Sequence, residues 1–303
     1  MKELIIGSHV SFTKHEQLLG SVKEALSYGA NALMLYTGAP QNTARSALDK
    51  IKTRAGHELM KKHNIDVNNV VVHAPYIVNL ASSGEKQDFA IRFLKEEIKR
   101  VHELGLSKLV LHPGSHVKLT REEGIQNIIR ALNIIMEDND SVDILLETMA
   151  GKGTEIGISF EEIKTIIDGV KKNERIKVCL DTCHINDAGY DVRDFDNVLN
   201  KFDKIIGLDR LSCVHINDSM NEKGMKKDRH ANLGRGTLGF DTLINIIYHP
   251  KLKDVPKLLE TPYVTIDDNS KERIYPPYKH EIEMIKKKKD NPNLIEDIRK
   301  YYK

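Results

Sequence analysis

The chain has few cysteines, no long apolar segment and almost no excess of charge of one sign. It contains three cysteines, Cys179, Cys183 and Cys213, an odd number too small for a disulfide framework and typical of a reducing compartment. No second cysteine pair accompanies Cys179 and Cys183, so a four-ligand cysteine zinc site is not indicated. No stretch reaches the roughly 18 apolar residues of a membrane span. We therefore expect a soluble, intracellular protein.

The overall charge does not by itself predict a nucleic-acid partner. The 46 Lys and Arg residues are opposed by 44 Asp and Glu residues, which leaves a net charge of +2. Such a balance gives no general attraction to polyanions, so any attraction to phosphate has to be local. The 303 residues, 40% of them hydrophobic, are enough for one large barrel or two smaller domains.

Eight short apolar runs recur along the chain, with helical segments between them. They are LIIG (4–7), ALML (32–35), VVVH (70–73), KLVLH (108–112), DILLE (143–147), KVCLD (177–181), SCVH (212–215) and KLLE (257–260). Unbroken apolar runs are typical of strands buried on both faces, and alternation with helices implies parallel pairing. Capping-box patterns at 120–123 and 159–162 predict two of the helix starts.

This alternation predicts an α/β fold, a single-domain (β/α)8 TIM barrel, with a doubly wound open sheet as the structural alternative. We assign residues 1–290 to the barrel and residues 291–303 to a short C-terminal tail. The lysines at 286–289 favour a solvated helix face or a frayed end over a contact with DNA or a nuclear-targeting patch.

Six of the predicted strands end in a polar side chain: His73, His112, Glu147, Asp181, His215 and Glu260. Two places upstream, on the same face of each strand, the residue is apolar or cysteine: Val71, Val110, Leu145, Cys179, Cys213 and Leu258. This pattern indicates a packed barrel interior below a polar cluster at the carboxyl ends of the strands, where the active sites of such barrels lie.

Six titratable groups at one mouth would repel each other or be poorly solvated without a neutralising partner, and histidine with carboxylate is a ligand set that suits zinc. His184, Asp228 and His230 follow nearby strands and extend the set to nine. A single histidine is more often a structural group than a ligand, but independent accidents would not put six such groups at successive strand ends. His9 is equally consistent with a structural role and with a contact near the site, whereas four other histidines are assigned structural roles: His57, His63, His102 and His116.

Three segments of the chain resemble signatures of the endonuclease IV family, the zinc-dependent nucleases that cut DNA at abasic sites. They are Val178–His184, His215–Ser219 and Asp228–Gly236. Shorter phrases resemble that family in the same order, at 7–11, 73–76, 112–114 and 146–148. The resemblance extends over nearly the whole chain.

The resemblance implies three zinc ions per chain and a catalytic role for Glu147. Its ligand sets are His73, His112 and Glu147 for one ion; Glu147, Asp181, His215 and Glu260 for a second; and His184, Asp228 and His230 for the third. Three Zn²⁺ ions against four carboxylates would leave a local charge of about +2 to attract phosphate. A hydroxide held between the two ions that Glu147 bridges would attack phosphorus. Cleavage 5′ to the abasic site would leave a 3′-hydroxyl, and blocked 3′ ends would also be removed.

The resemblance also implies that loops at the mouth contact double-stranded DNA. Tyr76 and Ile77 fit a wedge that enters the base stack beside an extruded abasic nucleotide, with ordinary loop packing as the alternative. Gln41 and Asn42 lie on a second loop of this kind, where some relatives insert an arginine. Arg229 is assigned to the same interface.

Two other functions remain open at this point. A metal-dependent sugar isomerase or epimerase could use the same barrel, but it would have little use for the third ligand set or the Tyr76 loop. A lesion-binding protein that does not cut would have little reason to keep nine ligands. We expect a monomer, because one domain holds the whole predicted site.

Overall fold

Eight parallel strands close into a barrel in the computed structural model, which describes residues 3–303. The strands are β1 (Ile6–His9), β2 (Ala32–Leu35), β3 (Val70–His73), β4 (Lys108–Leu111), β5 (Asp143–Glu147), β6 (Ile176–Asp181), β7 (Leu211–Ile216) and β8 (Lys257–Leu259). Each strand pairs with the next, and β8 pairs with β1. The predicted closed barrel is confirmed, and the open sheet is excluded.

Ten helices surround the barrel or follow it in the described part of the chain. They are α1 (Gln17–Ser27), α2 (Lys50–Lys62), α3 (Glu85–Glu103), α4 (Arg121–Met136), α5 (Phe160–Gly169), α6 (Thr182–Ala188), α7 (Phe195–Ile205), α8 (Phe240–Ile247), α9 (Tyr278–Lys287) and α10 (Leu294–Tyr302). Among residues 3–303, none of these helices combines the length and the apolar character that crossing a membrane requires.

Seven strands coincide with the predicted apolar runs to within one residue at each end, but β1 begins two residues later than predicted. The prediction ended this strand at Gly7, whereas the structure puts Gly7 inside it. A Cβ atom at position 7 would lie 1.8 Å from the carbonyl oxygen of Ala32. Position 7 therefore needs glycine, because a larger residue would clash with the backbone of β2 at Ala32.

The barrel interior is a small apolar layer separate from the main core that packs between the sheet and the helices. Its buried members are Ala32, Met34, Val71, Val110, Leu145, Cys179, Cys213 and Leu258. All six interior residues predicted from strand alternation belong to this layer. Burial raises the pKa of the Cys179 thiol, which supports its interpretation as a packing residue.

One of the two predicted capping boxes is complete. The Thr120 side chain accepts the N–H of Glu123, and the Glu123 carboxylate accepts the N–H of Thr120. At the start of α5, Ser159 accepts the N–H of Glu162, but the Glu162 carboxylate instead accepts the N–H groups of Gly157 and Ile158. The prediction of the second box is wrong for the bond from the Ser159 N–H to Glu162, because the preceding loop occupies that carboxylate.

The C-terminal segment packs against the barrel. Leu294 and Ile298 of α10 are fully buried in the main core. In α9, the buried Glu281 carboxylate accepts hydrogen bonds from the Leu233 N–H and the Thr261 hydroxyl, and burial raises its pKa to about 6. Near the end of α9, Lys286 donates to the Gly29 carbonyl.

Candidate metal centre

Glu147, at the end of β5, lies at the middle of the polar cluster and is almost completely buried. Its Oε2 atom is 3.1 Å from Nε2 of His73 and 3.1 Å from Nε2 of His112. These three residues form a group whose donor atoms all lie within 4.8 Å of one another. It is the set predicted for the first ion.

The other carboxylate oxygen of Glu147 faces a second group. Its Oε1 atom is 3.1 Å from Nδ1 of His215, which in turn lies 2.9 Å from Oε2 of Glu260. Asp181 completes this group, again with all donor atoms within 4.8 Å. Because its two oxygens face different groups, Glu147 connects them in the way expected of a bridging ligand.

A third group lies where α6 meets the loop before the short strand His230–Ala231. Nε2 of His184 is 3.1 Å from Oδ1 of Asp228, and Nε2 of His230 is 3.5 Å from the same oxygen. Asp181 also approaches this group, with its Oδ2 atom 3.8 Å from Nε2 of His230. All nine predicted ligands are thus brought together at the carboxyl end of the barrel.

Backbone carbonyls orient two of the imidazoles. His73 Nδ1 lies 2.7 Å from the Ala74 carbonyl oxygen, and His184 Nδ1 lies 2.8 Å from that of Thr148. A carbonyl can only accept, so Nδ1 carries the proton in each ring when it is neutral. The unprotonated Nε2 atom then faces the carboxylates, which is the state that a metal ligand requires.

Asp181 is held by a small set of buried polar groups. The Asn217 amide donates to Asp181 Oδ2 at 2.6 Å, the Asp181 N–H donates to the Thr148 hydroxyl, and Asp181 Oδ1 accepts the N–H of His184. Asn217 also accepts the N–H of Glu260 through its side-chain oxygen. Sequence reasoning gave Asn217 and Thr148 no role, although both lie in motifs that it singled out.

The cluster strongly perturbs its own titration. Burial opposes ionisation of Glu147, yet the imidazoles of His215 and His112 hold the pKa of its carboxyl well below its usual range. Burial likewise opposes protonation of His184, but the Asp181 and Asp228 carboxylates raise its pKa well above the usual value. The carboxylates thus stay ionised and favour a positive charge among them, which a bound cation would also supply.

The donor chemistry fits bound metal. His230 Nε2 is buried and has no hydrogen-bond partner among residues 3–303, while its carboxylate neighbours lie beyond hydrogen-bonding distance at 3.5 and 3.8 Å. Zinc binds imidazole nitrogen and carboxylate oxygen at about 2.0–2.2 Å. An ion held by His184, Asp228 and His230 would give this nitrogen the partner that it lacks.

The loop after β3 carries Tyr76 and Ile77 beside this cluster. Tyr76 is 56% exposed, whereas Ile77 is half-buried. Tyr76 lines a cavity of about 360 Å³ whose wall also includes His112, Lys152 and Asp228. The cavity therefore connects the predicted wedge with two predicted ligands. Arg229 is exposed next to one of them.

The loop after β2 exposes Gln41 and Asn42 and is anchored from below by α3. Glu97, on α3, accepts from Arg45 at 2.6 Å and from the Thr37 hydroxyl at 2.7 Å. Arg45 and Glu97 are 10% and 1% exposed. A buried ion pair therefore holds the loop that was predicted to meet DNA.

His9 lies at the mouth, but the ring beside it is Tyr36. Tyr36 in turn contacts His73, with 5.1 Å between the ring centres. Tyr36 was missed, although it directly follows β2 and is thus a further polar strand end. Two of the histidines assigned structural roles bond to nearby carbonyls: His57 to Leu104 and His116 to Leu119.

The comparisons with known proteins agree with this geometry. A family described as xylose isomerase-like TIM barrels matches residues 22–288, so the chain belongs to that class of barrel. It is also 53% identical, over 97% of its length and 98% of the relative, to the "Probable endonuclease 4" of Oceanobacillus iheyensis. The chain therefore belongs to the endonuclease IV family.

Two solved structures resemble this chain, one from the endonuclease IV family and one from a protein of a different kind. Endonuclease IV from Thermus thermophilus is 29% identical, with a TM-score of 0.77 over 93% of this chain and 97% of that one. A D-tagatose 3-epimerase-like protein covers 100% of both chains with a TM-score of 0.65, but it is only 20% identical. The second likeness shows a shared fold alone.

Proposed function

We propose that this nuclease acts in base-excision repair, hydrolysing the phosphodiester bond 5′ to an abasic site in double-stranded DNA and leaving a 3′-hydroxyl. The observation that carries the proposal is the third ligand group, in which Asp228 Oδ1 lies 3.1 and 3.5 Å from two imidazoles. This group adds to the two that share Glu147. Removal of blocked 3′ ends is the same hydrolysis at a strand terminus.

The groups that would hold three zinc ions are those predicted from the sequence. His73, His112 and Glu147 would bind one ion. Asp181, His215 and Glu260 would bind a second together with Glu147, and His184, Asp228 and His230 would bind the third. Bound zinc would supply Lewis-acid activation of water near neutral pH and stabilisation of charge on the phosphate.

The chain's own residues perform the rest. Carbonyl acceptors at positions 74 and 148 fix two imidazoles in the ligating tautomer. Asn217 orients Asp181. Tyr76 would fill the stack beside an extruded abasic nucleotide, which costs less to extrude than a paired base. Ile77 would enter the stack with Tyr76, and Gln41, Asn42 and Arg229 would contact the DNA from neighbouring loops.

A duplex oligonucleotide with one abasic analogue tests the proposal. We expect incision on the 5′ side of the lesion with a 3′-hydroxyl product, and no incision of the same duplex without the lesion. A second duplex with a 3′-phosphoglycolate end tests 3′-end cleaning. Zinc-loaded protein that binds the lesion duplex without cutting it would support the non-catalytic alternative and contradict the proposal.

A further inference from the structure

Asp187 is a buried carboxylate that the proposed chemistry does not use. It lies in α6, three residues after His184, and its side chain is completely buried. No ion pair involves it among residues 3–303. A carboxylate without a cation is poorly solvated in a protein interior unless hydrogen bonds replace its water.

Five hydrogen bonds do so, and four of them come from one loop. The donors are the Asn186 amide, the Ser219 hydroxyl, the Asn221 amide and the backbone N–H groups of Lys227 and Asp228, at 2.8–3.2 Å. The loop at 219–228 is thus wrapped around a single carboxylate.

The Asp228 N–H is the donor that matters most, because Asp228 is a proposed zinc ligand. It donates to Asp187 Oδ2 at 2.9 Å, while its own carboxylate lies 3.1 Å from His184. His184 and Asp187, one turn apart on α6, therefore both hold Asp228. Asp187 binds its main chain, and His184 contacts its side chain.

The loop needs such an anchor because its backbone is strained. Lys226 and Asp228 have φ values of +54° and +53°, in the left-handed region that residues other than glycine seldom occupy. Conformations of this kind persist only when surrounding contacts hold them. The Lys226 N–H also donates to the Asp187 carbonyl. Asp187 therefore holds the strained turn through both its side chain and its main chain.

We infer that Asp187 is a positioning residue, which holds the Asp228 loop in its strained conformation and thereby forms the third zinc site before metal arrives. This inference rests on the proposed function for the identity of the ligand, but its first measurement does not depend on nuclease activity.

The test compares Asp187→Asn with Asp218→Asn in the full-length protein. Asparagine keeps the size of Asp187 but replaces an accepting oxygen with a donating amide. Asp218 is a matched control, because it too is a buried carboxylate and accepts four backbone N–H groups, of which three belong to 236–239 and none to 224–228.

Hydrogen exchange is measured first, with and without zinc. In Asp187→Asn, the amides at 227 and 228 should exchange at least about tenfold faster, and in Asp218→Asn they should not. Zinc binding by equilibrium dialysis should show one ion held at least about tenfold more weakly in Asp187→Asn only. Cleavage lost at low free zinc should return at high free zinc.

Three outcomes would overturn the inference: unchanged exchange at 227 and 228, unchanged zinc affinity, or equal losses in both variants. If Asp187→Asn does not fold, Asn221→Ala removes one of the five donors and leaves the Asp187 carboxylate in place, and it should give the same changes on a smaller scale. Unaltered exchange and zinc affinity in that variant would likewise contradict the inference. Wild-type protein that fails to cut abasic DNA would refute the proposed function and leave the exchange result standing.

Discussion

Nδ1 of His215 lies 3.1 Å from Oε1 of Glu147, while the other oxygen of that carboxylate faces the imidazoles of His73 and His112. Glu147 thus links two of the three ligand groups. Replacing it with glutamine keeps the size and removes the charge that both groups share. We expect Glu147→Gln to lower the cleavage rate by several orders of magnitude and to leave lesion binding largely intact. A rate above about a tenth of wild type would contradict the bridging role.

Metal analysis of the purified protein should find close to three ions per chain, mainly zinc. The reason is that nine donor side chains lie in three groups at one end of the barrel, with Asp228 beside His184 and His230 in the third. Chelation should abolish cleavage, but the apolar interior layer below the site should keep the barrel folded. Elemental analysis and circular dichroism measure the two effects. A reproducible content near one ion would contradict the three-zinc proposal.

Tyr76→Ala should lower kcat/KM on abasic duplex DNA by about tenfold or more, because stacking on an aromatic ring contributes roughly 1–3 kcal/mol. Zinc content should not change. On a small phosphodiester, which has no base stack, the variant should be nearly normal. Tyr301→Ala is the control, since that ring is 53% exposed but lies on α10. Equal losses on both substrates would mean that Tyr76 merely supports His73.

Glu97→Gln should destabilise the fold and loosen the loop that carries Gln41 and Asn42. Breaking a buried ion pair on one side costs about 3–5 kcal/mol, because the other charge stays behind unpaired. The Lys95–Asp138 pair is the control: it shares α3, but its side chains are 33% and 78% exposed. Removing that pair with Lys95→Met should cost less than about 1 kcal/mol. Urea unfolding compares the two, and similar losses would show that Glu97 is not an anchor.

Glu281 should make stability depend on pH. Burial raises its pKa to about 6 in the folded state from an ordinary 4.5, so the folded protein binds this proton more tightly than the unfolded chain does. Its contribution is therefore present below about pH 4.5 and is lost as the pH rises through 6, by about 2 kcal/mol. Unfolding free energies of wild type and Glu281→Gln should diverge across this window. A constant difference would show that the carboxyl titrates normally.

Strand alternation and polar strand ends were enough to predict the barrel, its interior layer and the convergence of six side chains. His184, Asp228 and His230 were added from segments that follow the strands. These two signals suffice because an inward-facing strand residue can lie only in the barrel interior or at its mouth. The position of Val71 and His73 along their strand therefore determines the surroundings of each. Asp187 and Glu97 could not be found in this way. Both lie on helices, where a carboxylate is usually solvated, and only the path of a distant loop makes either of them buried.

Tyr36 and Gly7 illustrate two further limits. Tyr36 carried the same strand-end signal as His73, but an aromatic hydroxyl is an uncommon zinc ligand, so the signal did not stand out. Gly7 was predicted to end its strand, but it lies inside that strand. The carbonyl of Ala32, in the neighbouring strand, decides its place instead, and local sequence contains no information about that contact.

Helix α6 is only seven residues long, yet Asp181 caps its first turn, His184 lies within it and Asp187 follows one turn later. Each residue of an α-helix rotates the chain by about 100°. Inserting or deleting a single residue here would turn these carboxylates and this imidazole to different faces at once. The residues that separate Asp181, His184 and Asp187 can therefore be substituted, but none can be added or removed. Insertions in this family should fall in other loops of the barrel mouth.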